Sequence, residues 1–131
     1  MKRFAILLLI SLSASAQAGD RAMTGAEFAA AAEGRVLFFT APGDAPAGAE
    51  GYLTNGRTVW LPPGGVCEPG LWREDGDALC FFYPSGRSCW RVYAKNGEAW
   101  RFVSAETGVS GELFVERSEP GPLLCPNEPG S

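Results

Sequence analysis

After Gly34 the chain is interrupted by turn-forming residues so often that no long regular element fits between them. Pro42-Gly43, Asn55-Gly56, Pro62-Pro63-Gly64-Gly65, Asp75-Gly76, Pro84-Ser85-Gly86 and Asn96-Gly97 punctuate it. The two Asn-Gly pairs carry the most information, because a two-residue hairpin turn needs positive φ at both central positions. Between these breaks lie short apolar or alternating runs: Arg35–Thr40, Gly51–Thr54, Arg57–Leu61, Leu71–Arg73, Ala78–Tyr83, Ser88–Tyr93, Ala99–Val103 and Glu112–Glu116. Each reads as a strand. Residues 41–49, APGDAPAGA, have no burial pattern and read as a loop. Parallel pairing would need helical crossovers, and nothing after Gly34 has helical period or length. The expected fold is mainly β: one antiparallel up-and-down meander of seven to eight strands, curled into a small barrel or a coiled sheet.

One short helix precedes it. Thr24-Gly25-Ala26-Glu27 is a capping box, Met23 and Phe28 are spaced as a hydrophobic staple, and Gly34 supplies a stop. Residues 24–33 are therefore expected to be helical, with Phe28 and Ala31 or Ala32 facing inward, and to plug one barrel end or cover a sheet edge. The tail, residues 118–131, holds four prolines in SEPGPLLCPNEPGS and cannot be a central strand.

Lys2 and Arg3, the apolar run Phe4–Leu12 and the small residues ending Ala16-Gln17-Ala18 have the layout of a secretory signal cleaved after Ala18. The apolar run is too short for a membrane span, which needs ~20 residues. The chain thus divides into a signal peptide (1–18), a β domain (19–117) and a Pro/Gly-rich tail (118–131). Cleavage would leave 113 of the 131 residues and remove two of 11 basic residues against 15 acidic, for a net charge of −6. An acidic chain of this kind is a poor tracker of nucleic-acid phosphates, and no basic amphipathic helix follows the signal to hold it at a membrane. The expected location is periplasmic or secreted.

In that setting four cysteines read as two disulfides. If the turn places Phe82 opposite Arg87, Cys80 faces Cys89, and Cys67 is left to pin the tail through Cys125. A loop one residue longer or shorter would put Cys80 and Cys89 on opposite faces. Cys67–Cys80 with Cys89–Cys125 is the main rival, and the third pairing remains open. A zinc site is disfavoured by the absence of histidine and of any C-x₂₋₄-C spacing. No cofactor or metal is indicated.

Tryptophan beside arginine recurs at Trp72-Arg73, Trp90-Arg91 and Trp100-Arg101, with Trp60 and Tyr83 close in sequence. Adjacent strand residues point to opposite faces, so the pattern suggests one aromatic and one cationic face. It fits a packed core with solvated arginines. It fits equally a cup for an apolar or anionic small molecule, lined by Trp60, Trp72, Tyr83, Trp90 and Trp100, with Arg91 or Arg101 at its mouth.

Gly70-Leu71-Trp72, Cys80-Phe81-Phe82-Tyr83 and Cys89-Trp90 form a G-x-W…C-F-x-Y…C-W string, preceded by a T-x-x-E-F segment at Thr24–Phe28. This pattern resembles that of small exported alphaproteobacterial proteins of unknown function. The resemblance implies compartment and fold, and no activity.

The complete absence of histidine removes imidazole-based acid–base, nucleophilic and metal chemistry. Catalysis would have to rest on carboxylates, and Glu68, Glu74, Asp75 and Asp77 crowd around turns, where solvation is the default. Lys95 sits beside a turn tip. The chain is thus expected to be a non-catalytic binding or interaction module of the cell envelope, with an unidentified envelope protein as partner. The alternatives are a small-molecule carrier with an aromatic-lined barrel cavity and, last, an enzyme using carboxylates.

Overall fold

A computed structural model of the chain describes residues 21–126. The proposed signal peptide and the end of the tail lie outside the described residues. Helix α1 (Gly25–Ala32) is followed by eight strands: β1 (Arg35–Ala41), β2 (Ala45–Tyr52), β3 (Arg57–Leu61), β4 (Glu68–Asp75), β5 (Ala78–Tyr83), β6 (Gly86–Lys95), β7 (Glu98–Ser104) and β8 (Glu112–Pro120). Each strand pairs antiparallel with the next, and β8 closes on β1 to complete a barrel. Closure leaves no free edge for the helix to cover, and α1 instead plugs one end.

The capping box forms as the sequence implies. Thr24 accepts from the Glu27 amide at 3.1 Å, and Glu27 accepts from the Thr24 amide at 3.0 Å. A third contact comes from the barrel, where the Glu74 carboxylate on β4 accepts from the Gly25 amide. The helix N-terminus is therefore tied down by charge complementary to its dipole. Phe28, 0% exposed, drops into the barrel and meets Tyr52, Trp72, Phe102 and Phe81 edge-on, at centroid distances of 5.2 to 6.2 Å. The core continues through Leu37, Phe39, Leu79 and Val92.

Both Asn-Gly pairs adopt positive φ at both positions (Asn55 59°, Gly56 71°; Asn96 53°, Gly97 78°). The expected loop at 41–49 is a correction: its second half is the start of β2, paired to Thr40, Phe39 and Phe38 on β1. Small residues here carry no alternating pattern, yet they are what the barrel needs. Gly48 has φ +113°, and a Cβ on it would lie 2.5 Å from the Trp60 ring of neighbouring β3. Gly48→Ala should therefore push Trp60 out of place and cost ~1–3 kcal/mol. Urea denaturation together with a shift in tryptophan emission would measure this, and a change in stability within experimental error would contradict it.

The boundary placed at residue 118 also moves. β8 runs to Pro120, with Ser118, Glu119 and Pro120 paired to Leu37, Val36 and Arg35. By then β7 has already ended against Glu112–Phe114, so this stretch has one neighbour only and tolerates proline as an edge does. The structure pairs Cys80 with Cys89 and Cys67 with Cys125. Cys80 and Cys89 are register partners on the outer face of β5 and β6. Cys67–Cys125 straps the tail across the barrel wall, where Leu123 lies against Gly51. Two disulfides fit an oxidising compartment.

Candidate functional site

The end of the barrel opposite α1 is an open cup of about 320 Å³. Its wall draws on seven strands: Phe39 of β1, Glu50 of β2, Trp60 of β3, Phe81 and Tyr83 of β5, Arg87 and Trp90 of β6, Phe102 of β7 and Leu113 of β8 supply the principal surfaces. An eight-stranded barrel is the size at which the interior either fills with side chains or holds one small ligand. Here it does both. The helix half is occupied by the buried Phe28 and the rings around it, and the other half is open.

Of the residues singled out from the sequence, Trp60, Tyr83 and Trp90 line the cup. Trp90 is oriented by its indole N–H, which donates to Ser88 Oγ at 3.0 Å. Tyr83 lies over Gly70, where a Cβ would be 2.5 Å from its ring. Trp60 packs against Phe39, and Phe39 against Phe102. The other four residues are placed elsewhere. Trp72 is inside the barrel but at the closed end, against Phe28.

Arg91 is on the outer face, paired with Asp77 at 2.8 Å. Arg101 is also outside, 3.5 Å from Glu112 and 5.0 Å from the Tyr93 ring centre. Trp100 faces outward, 36% exposed, beside Phe114. Its placement has a local cause. Tyr93 pairs with Arg101 but Ala94 pairs with Ala99, so Trp100 is the extra residue of a β-bulge and the alternation of faces slips there. The arginine at the mouth is Arg87.

The residue that sequence reasoning missed is Glu50. It is 4% exposed, flanked in register by Leu37 and Trp60, and lines the cup. Two positions along the same strand, and hence on the same face, is Tyr52; across from Tyr52 on β3 is Thr58, 2% exposed. Glu50 Oε2, Tyr52 Oη and Thr58 Oγ1 are all buried without a hydrogen-bond partner. Burial pushes the Glu50 carboxyl up to about 8. The Tyr52 hydroxyl is near enough to pull it back in part, although the pair falls short of hydrogen-bond geometry. Burial, and then the neighbouring Glu50 charge, hold the Tyr52 phenol well above its usual range. A signal for Glu50 did exist: with Tyr52 facing the core, strand alternation puts Glu50 there too.

No known protein family matches this chain, and neither does any curated protein or solved structure. The cup's chemistry is therefore the guide to what it does. An uncompensated buried carboxyl is costly, of the order of a few kcal/mol, and such groups concentrate at sites that bind or react.

The remaining acidic candidates are engaged structurally. Glu68 accepts from the Ser85 amide at 2.6 Å and its hydroxyl at 2.8 Å, which pins the β5–β6 turn at the rim of the cup. Glu74 caps α1, and Asp77 pairs with Arg91.

Proposed function

We propose that the protein is a non-catalytic, exported carrier or sensor domain that holds one small, largely apolar molecule in its aromatic cup. The observation that carries this reading is the buried Glu50 carboxyl, its Oε2 without a hydrogen-bond partner, inside a largely aromatic cavity. Small-molecule sites have this composition: apolar walls for affinity and one or two polar groups for orientation. The volume matches a ligand at the small end of the usual range, ~300–1,000 Å³.

The cup favours this reading over an enzyme. Among the described residues lining it, Glu50 is the sole carboxylate, so a two-carboxylate mechanism lacks its second member. It also favours the carrier over a docking module that works through its surface, because the buried acid without an ion-pair partner faces inward, whereas Arg101 on the outer face, whose Nε is likewise unsatisfied, has Glu112 3.5 Å away. The disulfides and the signal-like N-terminus support a periplasmic or secreted location.

Native mass spectrometry of the full chain, produced in and purified from its own host, tests the reading. A single reproducible small-molecule adduct is expected, lost in the cavity-filling variant Leu113→Trp. A clean apo spectrum, or an adduct that Leu113→Trp retains, would overturn it.

A further inference from the structure

Resting on that reading, we infer that the cup's ligand is an organic cation, an aromatic or similarly flat amine whose ammonium head sits against Glu50 and whose body lies between Trp60, Trp90, Phe39 and Phe102. Three features of the site converge on this. The deep polar group is an acid, and among the described residues it takes part in no ion pair. A ligand that brings a positive charge supplies the missing partner, and a buried charge becomes tolerable once paired. The walls around it are ring faces and edges, and rings attract a desolvated cation by ~2 kcal/mol or more. Finally, the whole chain is acidic, with a net charge of −4, which favours the approach of cations over anions.

The groups facing Glu50 leave this role to the ligand. β1 presents Leu37 and Phe39, β3 presents Trp60 and Thr58, β7 presents Phe102 and β8 presents Leu113, none of them titratable. Its own strand adds the Tyr52 phenol, β5 adds Tyr83 and β6 adds Arg87. Arg87 is the one cation of the cup, but it is exposed and forms no ion pair with the carboxyl. Its position suits a ligand whose far end is neutral or a hydrogen-bond acceptor.

Because burial holds the free carboxyl near 8, an arriving ammonium must displace its proton. At pH 7 binding should release about one proton per ligand, and affinity should climb with pH by up to roughly tenfold per unit until the carboxyl is ionised. An uncharged ligand would release none.

Isothermal titration of the wild-type protein with tryptamine and 2-phenylethylamine, against their uncharged isosteres tryptophol and 2-phenylethanol and against indole-3-acetate, tests this. Running each titration in phosphate and in Tris gives the proton count. The amines should bind at least about tenfold more tightly than the alcohols, with proton release, and Glu50→Gln should erase that preference while leaving weak binding of the alcohols. The proton count comes from the wild-type chain and does not depend on how the variant folds.

Equal binding of amines and alcohols, or release of no proton, would overturn the cation inference while the cup remains a small-molecule site. Selective binding of indole-3-acetate would overturn it in favour of an anion held by Arg87. If no probe binds and the purified protein also carries no adduct, the carrier reading falls with it.

Discussion

Replacing Glu50 with glutamine should flatten the stability of this protein between about pH 4.5 and pH 8 and leave the variant the more stable form at the alkaline end. The wild-type carboxyl has an ordinary value of 4.5 in the unfolded chain and about 8 in the folded one. Across that window the folded state holds a proton that the unfolded state has released. Stability therefore falls as pH rises, by at most ~1.4 kcal/mol per unit. It is greatest below the unfolded value and is fully eroded once the folded value is passed.

Glutamine has nearly the same shape and cannot ionise, so its curve lacks this slope. The difference at pH 8.5 should reach a few kcal/mol, a large share of the ~5–15 kcal/mol that holds a typical domain together. Glu27, lowered to about 2 by Arg21 and the Thr24 amide, and Asp77, lowered by Arg91, act with the opposite sign at acid pH. Both are exposed ion pairs that solvent screens. Urea midpoints for the two proteins at pH 5, 7 and 8.5, with the disulfides intact, read the effect directly. Parallel curves would mean that Glu50 titrates normally and that the cup floor is wet.

That prediction rests on a residue the sequence did not draw attention to, for a physical reason. Turns are encoded locally: Asn55-Gly56 and Asn96-Gly97 need nothing beyond their own φ values to announce a hairpin, and Thr24 with Glu27 caps a helix with four residues. From such signals a meander of seven to eight strands and a short helix at one end or edge of it could be read. The first half of β2 could not. Ala45–Ala49 carries no large side chain, because the space inside the barrel at that level belongs to Trp60, which arrives from the next strand. With β2 cut short, Glu50 stood at a loop boundary and its inward face went unnoticed.

The bulge at Trp100 and the overrun of β8 to Pro120 are likewise consequences of closure. A sheet that must meet itself adjusts its register where neighbouring strands demand it, and no residue of its own marks the place. Of the aromatic-arginine doublets, two alternate as strand geometry requires and place Trp72 and Trp90 inside. In the third, Trp100-Arg101, the bulge leaves both side chains on the outer face.

Phe28→Ala should be among the most damaging single substitutions in the molecule, costing ~3–5 kcal/mol. The side chain is fully buried and stands as the one large wedge that α1 drives into the barrel, touching four rings on β2, β4, β5 and β7. Removing it leaves a void that the surrounding strands cannot close, since every one of them is paired on both sides within a closed barrel. The lost ring contacts add to the lost burial.

The site should feel the change as well. Phe81 and Phe102 touch Phe28 on one side and line the cup on the other, so their relaxation toward the void would enlarge the cup and weaken whatever it holds. Trp100→Ala is the matching control: it removes a larger ring from the outer face and should cost less than ~1 kcal/mol. Chemical denaturation of both variants beside the wild type makes the comparison. If Phe28→Ala proved no worse than Trp100→Ala, the helix would be an ornament on the barrel and the cup would have its floor without it.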